Sequence, residues 1–280
     1  VRIALAFLTR FPTGRVVTDD PMRDLGRAAG LFPLVGLLVG AAGLVAYLAG
    51  RALFGPAVAA VAAAGAGLWA SGALHLDGLM DTADGVLSGR DRERMLEIMK
   101  DSRVGAMGVT AGALALLLRV ALLLELDPGR AAPALLVAPA LGRMVMPLAA
   151  VQWPPARSWG LGSAYVRHVG RPQAAAALLS GLALALALPA AAVELQRVLA
   201  AAAPELTLPH GLAAAAPSGA LTAALRGLGA WVAALGVCFG CGGWLARRLG
   251  GQTGDTYGAL CELAELAALA CFGVAAGEVG

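Results

Sequence analysis

Between Leu74 and Gly108 the chain reads LHLDGLMDTADGVLSGRDRERMLEIMKDSRVGAMG, a run of aspartates, glutamates and arginines inside a sequence that is otherwise nearly uncharged. This stretch decides the fold, because the segments on both sides of it are long enough and apolar enough to lie in a bilayer. The 280 residues are 59% hydrophobic and only 14% charged, against roughly 25% charged in a soluble domain. Seven apolar segments are expected to span, at about 30–50, 54–75, 104–126, 131–151, 173–193, 220–245 and 257–277. Alanine, leucine, valine and glycine dominate them, and small residues let such helices pack closely. The expected fold is therefore all-α: a polytopic transmembrane bundle of about seven spans, with short cytoplasmic helices carrying the acidic motif. Residues 1–280 read as one integral-membrane catalytic domain.

Orientation follows from the arginines. With seven spans, 15 of the 21 basic residues fall in four segments on one side, and three (Arg51, Arg130, Arg197) in the loops opposite. Such an excess marks the cytoplasmic face, so the N-terminus is expected inside and the C-terminus outside. The arginine-bearing start of the chain does not read as a cleavable signal peptide. A net charge of +3 gives no reason to expect nucleic acid. Cys238 and Cys241 in CFGC have a redox or zinc spacing, but no second pair joins them, and they read as small buried hydrophobes.

The acidic run carries the chemistry. Asp77, Asp81 and Asp84 stand at i, i+4 and i+7, within an arc of about 60° on one helix face. No lysine or arginine lies between Leu74 and Gly89 to neutralise them. Three carboxylates so placed repel one another unless a cation intervenes, and Mg²⁺ prefers such oxygen ligands. Downstream, Glu97 and Asp101 form a second i, i+4 pair beside Lys100 and Arg103. Arg90, Arg92 and Arg94 serve topology or substrate. Carboxylates with Mg²⁺ beside basic side chains suit phosphoryl transfer, in which metal and cations hold phosphate oxygens and a carboxylate takes the attacking hydroxyl's proton.

A second patch, GGQTGDTYGALCELAEL over Gly250–Leu266, opens the last span. Thr253 or Asp255 suits its N-cap, and a helix N-terminus is a natural phosphate site. Glu262 and Glu265 continue into the apolar segment, and Arg143 lies about 12 Å deep in its own span. Charges at that depth pair or serve a site, and an ion pair of Arg143 with one of these glutamates is one expectation. Arg119 and Arg226 are expected to snorkel or pair.

The acidic run, together with FLTRFP at Phe7–Pro12, LFPLVGLLVG at Leu31–Gly40 and GQTGDTYGALCELAEL, resembles the cobalamin synthase family, the adenosylcobinamide-GDP ribazoletransferases. The likeness extends from end to end and is weakest from about 190 to 220. It implies a Mg²⁺-dependent enzyme of the inner membrane whose site faces the cytoplasm. Such an enzyme joins adenosylcobinamide-GDP to α-ribazole or its 5′-phosphate and releases GMP, the ribazole 5′-hydroxyl attacking the cobinamide-linked phosphorus. On this reading Asp77, Asp81, Asp84 and Glu97 are candidate metal ligands, and Asp84 and Asp101 candidate catalytic bases. Arg10, His75, Arg90, Lys100, Arg103, Arg143, Thr253, Asp255 and Glu262 are candidate substrate-binding residues. The partners implied are the two substrates and the lipid bilayer, with a homo-oligomer left open.

Three other readings compete, one of them a membrane prenyltransferase, which expects two aspartate-rich motifs on separate helices, and Asp255, Glu262 and Glu265 make a poor second copy. Asp81-x-x-Asp84-Gly85 followed by Glu97-x-x-x-Asp101 echoes the motif of the CDP-alcohol phosphatidyltransferases. No Ala-Arg follows at the expected offset, however, and the intervening segment is shorter. A cation transporter would place its acids near mid-membrane, whereas here they gather at one face.

Overall fold

The apolar segments become helices because little in them competes: polar side chains that bond back to the main chain are few, and Pro33, Pro56, Pro128 and Pro172 stand in first turns. A computed structural model describes residues 1–158, 160–202 and 219–274. In order the helices are α1 (Arg2–Leu8), α2 (Pro21–Ala28), α3 (Phe32–Leu53), α4 (Pro56–Ser71), α5 (Leu74–Val86), α6 (Arg92–Ile98), α7 (Ala106–Leu124), α8 (Pro128–Gln152), α9 (Leu161–Val166), α10 (Arg171–Ala202), α11 (Ala220–Leu249) and α12 (Gly254–Gly273). Among the described residues the one extended pairing outside the helices is a parallel bridge between Pro155 and Gln252.

Six helical segments are long and apolar enough to cross a membrane, and a bent pair brings the number to seven. Five of the expected spans appear as α3, α7, α8, α10 and α11, and α10 continues past Pro189 to Ala202. The last appears as α12, which ends at Gly273; residues 275–277 of the expected span lie outside the described residues. The segment at 54–75 differs. Its helix α4 has 16 residues, and the chain then turns by 89° into α5. Gly72 and Ala73 make the turn, both in the left-handed region, and Ala73 is the one described non-glycine residue there. As a result α5 runs across the first turns of α7 and α12 instead of prolonging α4.

Helix α8 is the axis of the bundle, buried over most of its length among α3, α10, α11 and α12. Its internal Pro139 has no N–H for the carbonyl of Leu135. Gly40 of α3 presses on that carbonyl: a Cβ there would meet it at 2.2 Å, and one at Gly36 would meet Pro139 O at the same distance. The four-residue glycine spacing in LFPLVGLLVG thus lets α3 lie directly on α8.

Candidate active site at the arginine-rich end of the bundle

Helix α5 carries Asp77, Asp81 and Asp84 and is held from three sides. Gly78 meets the start of α12, where Gly258 lies against His75, so two glycines bring the helix backbones together. Gly85 packs on Met95 and Met99 at α6. Asp84 accepts hydrogen bonds from the backbone N–H groups of Gly105 and Gly108, both at 2.7 Å, which ties α5 to the first turn of α7. An anion on a helix N-terminus is favoured by the orphan N–H groups there.

Asp77 and Asp81 remain, with Asp255 of α12 as the neighbouring acid. Burial and the charges of Asp77, Asp255 and Asp84 push the Asp81 carboxyl up from 3.8 to about 7. The helix face expected from the spacing is therefore real, and its charges are not balanced by an adjacent cation. Among the described residues, no three His, Cys, Asp or Glu side chains converge closely enough to enclose a metal ion by themselves. Glu97 and Asp101 have other partners. Glu97 accepts from Arg94 at 2.7 Å, and Asp101 is clasped by Arg103 through its guanidinium and its backbone N–H. The Arg103 hydrogen bonds hold Asp101 down to about 2.

Beside Asp77 and Asp255 opens a cavity of about 290 Å³, bounded by α5, the α8–α9 loop, α9 and the start of α12. Three of the expected substrate residues, His75, Thr253 and Asp255, line it. Thr253 is also the cap of α12: its hydroxyl accepts from Thr256 N–H, and its own N–H donates to the Thr256 hydroxyl. Arg90 and Lys100 lie exposed on either side of α6. Arg10 sits elsewhere, its side chain over Gly72 at the α4–α5 bend and its N–H bonded to Ala70 O.

Arg143 and Glu262 stand behind the cavity, inside the bundle. Arg143 is 2% exposed, Glu262 4% and Glu265 3%. Arg143 donates to Glu265, and Arg119 bonds Glu262 at 2.6 Å and Glu265 at 2.9 Å. The pairing of Arg143 with one of these glutamates is thus present, and Arg119 pairs too. The second Arg143 nitrogen lies 3.1 Å from His75 Nδ1. Guanidinium only donates, so Nδ1 is the acceptor and Nε2 carries the proton of a neutral imidazole.

Several residues of the site were not among the expected site residues, although Arg92, Gln252 and Tyr257 lie within the two quoted runs. Arg157 lines the cavity and bonds Leu96 O, while Arg92 bonds Leu249 O at 2.6 Å and Ala156 O at 3.0 Å. Together they brace α6 against the loop at 153–157 and the end of α11. Tyr165, Gln252 and Tyr257 complete the wall. The chain has three tyrosines, and finding two of them at the arginine-rich end was the available signal.

A family model described as cobalamin-5-phosphate synthase matches residues 1–273. The adenosylcobinamide-GDP ribazoletransferase of Desulforamulus reducens is 39% identical over 268 residues, covering 95% of this chain and 92% of that protein. The protein of the same name from Pseudomonas aeruginosa is 38% identical over 270 residues, covering 95% and 94%. That of Thermoanaerobacter pseudethanolicus is 31% identical over 271 residues, covering 96% and 95%. No solved structure matches the chain.

Proposed function

The chain belongs to the cobalamin-5-phosphate synthase family, and on that premise we propose that it transfers the adenosylcobinamide-phosphate group of adenosylcobinamide-GDP to α-ribazole or its 5′-phosphate, releasing GMP. The observation that carries the site assignment is the meeting of Asp77 and Asp81 with Asp255 beside the cavity at the arginine-rich end. An acceptor phosphorylated at its 5′ oxygen cannot attack through that oxygen. A ring hydroxyl of the ribose is then the nucleophile, in place of the 5′-hydroxyl. It forms a bond to the cobinamide-linked phosphorus as the bond from that phosphorus to the GMP oxygen breaks.

The donor set fits a magnesium ion. Asp77 and Asp81 would hold it with help from Asp255, and Mg²⁺ keeps several waters, so it does not need a closed protein cage. When bound it would supply positive charge to the pyrophosphate. Asp81, raised by burial and then by the charges of Asp77, Asp255 and Asp84, would be drawn back to its ionised form by a cation. Arg157, beside Asp255, and the exposed Arg90 and Lys100 are placed to meet phosphate oxygens. Asp84 already serves two backbone N–H groups and Asp101 serves Arg103, so either must loosen those bonds before accepting a proton. A group held near 2 is also a weak base at neutral pH.

The arginine excess supports an orientation with this end in the cytoplasm, in the inner membrane, where soluble substrates reach it. The test is incubation of membranes containing the purified chain with adenosylcobinamide-GDP, α-ribazole and Mg²⁺. GMP release that requires all three supports the assignment. Absence of GMP with intact, folded protein refutes it.

A further inference from the structure

Around the cavity, five residues carry a buried polar atom with no hydrogen-bond partner in the protein: His75 Nε2, Arg157 Nε, Tyr165 OH, Gln252 Oε1 and Tyr257 OH. Native proteins leave few such groups, and each asks for a reason. His75, Gln252, Tyr257 and Tyr165 are exposed by 1, 1, 2 and 4%, so bulk water does not serve them. They are nevertheless not a random scatter, since all five belong to one wall.

We propose that this cavity is the pocket for the acceptor, taking its planar aromatic base and ribose, and that Tyr165, Tyr257 and Gln252 determine its fit. The inference rests on the ribazole-transfer reading given above. Size comes first. Small-molecule pockets run from roughly 300 Å³ upward, so about 290 Å³ takes one nucleoside-sized group and excludes the corrin macrocycle of the donor.

Surface chemistry comes second. Phe7, Leu74, Met146 and the two tyrosines make the wall largely apolar and aromatic. Phe32 stacks on Tyr165 from behind at 5.9 Å and 8°, and Tyr257 meets it edge-on at 6.0 Å and 74°. The Tyr165 ring is thereby fixed, which suits it to contact a flat ring at small entropic cost.

The position of the reacting oxygen decides between the two nucleosides of the reaction. Asp77 and Asp255 stand at the cavity, with Arg157 the one cation among the described residues of its lining. A guanosine has no reacting oxygen on its sugar to place there. An acceptor ribose brings hydroxyl donors, which carboxylates accept, and its reacting oxygen then lies at the acidic end where transfer takes place. The unpartnered hydroxyls and amide oxygen are neutral groups suited to an uncharged base and sugar. His75 adds a fixed N–H donor, its tautomer set by Arg143.

The experiment uses the full-length protein in lipid nanodiscs, comparing wild type with Tyr165→Phe, Tyr257→Phe and the double variant. These hydroxyls bond nothing in the protein, so the variants keep or raise the thermal midpoint. The KM for α-ribazole should rise about 3- to 10-fold per lost hydrogen bond, with the KM for adenosylcobinamide-GDP within twofold of wild type. Equilibrium binding of α-ribazole without donor should weaken by the same factor, and α-ribazole 5′-phosphate should show the same ratio, since base and ribose are shared. A raised donor KM with an unchanged acceptor KM would reassign the pocket to guanosine. Unchanged constants in all three folded variants would make the hydroxyls structural and overturn the proposal. If wild type itself releases no GMP, the functional reading falls and takes this one with it.

Discussion

The crossing of α5 on α12 can be tested with a single methyl group. In Gly78→Ala the added Cβ would lie 2.7 Å from Asp255 O and 3.2 Å from the Cα atoms of Asp255 and Gly258. These are main-chain atoms of the facing helix and have no rotamer by which to move aside. Ordinary contact begins at 3.4 Å, so α5 must recede from the carbonyl by 0.7 Å. Overpacking of this kind costs about 1–3 kcal/mol, and replacing glycine within a helix returns about 1 kcal/mol. The net loss of stability is therefore small, about 0–2 kcal/mol. Geometry suffers more, because the shift separates Asp77 and Asp81 from Asp255, and a displacement of about 1 Å can cost on the order of 10²-fold in rate. The expected result is a 10- to 100-fold fall in GMP release with the thermal midpoint nearly kept. Gly65→Ala is the control, since nothing lies within 4 Å of its Cβ position. Wild-type turnover in Gly78→Ala would show that the α5–α12 contact does not set the site.

Three further perturbations separate the roles assigned above. Asp81 holds its proton more tightly folded than unfolded, so its contribution to stability is complete below 3.8 and lost as pH rises through about 7. In EDTA the thermal midpoint should therefore fall from pH 5 to 8, Mg²⁺ should restore it, and Asp81→Asn should remove both responses; a midpoint at pH 8 indifferent to Mg²⁺ would count against a cation there. Glu265→Gln leaves Arg119 and Arg143 to share Glu262, and breaking a buried pair costs about 3–5 kcal/mol, so thermal unfolding in detergent should show a severe loss, whereas a near-native midpoint would mean water reaches the pair. Asp101→Asn breaks an exposed clasp with Arg103, and GMP release should fall less than tenfold; a loss of 10²–10⁴-fold with donor binding kept would instead identify Asp101 as the general base.

The helices were legible because a bilayer permits few solutions: apolar runs of about 20 residues must satisfy their own backbone. The spacing of Asp77, Asp81 and Asp84 was legible for the same local reason, since a helical period needs only the sequence. The direction of α5 was not. Its 89° turn rests on left-handed Gly72 and Ala73, and nothing about an alanine announces that conformation, which is stabilised from outside by Arg10 and the α5 contacts. The partners of each carboxylate were equally hidden. Asp84 resembles its two neighbours in sequence, yet two N–H groups 21 and 24 residues away claim it. Tyr165, Gln252 and Tyr257 escaped because an unpartnered hydroxyl is a property of the packed wall. No local pattern encodes it.

The two sets of charges in this bundle differ in one physical respect that sorts their roles. Arg143, Glu262 and Glu265 are buried and Arg119 largely so, and their ionic groups answer one another at hydrogen-bond distance. With its charges paired, such a network has little left to offer a substrate, and its removal is felt as instability. Asp77, Asp81 and Asp255 lie nearer the open end, where only Asp255 has partners, the Thr253 hydroxyl at 3.3 Å and the charge of Arg157, and the acids around Asp81 raise the cost of ionising it. That cost is tolerable only where something else supplies positive charge, which is why unbalanced acids beside a cavity point to chemistry. His75 joins the two sets. Its Nδ1 belongs to the ion-paired network through Arg143, and its Nε2 belongs to the unsaturated wall. The buried ion pairs thus act on the reaction at one remove, by holding one ring in one tautomer at the edge of the site.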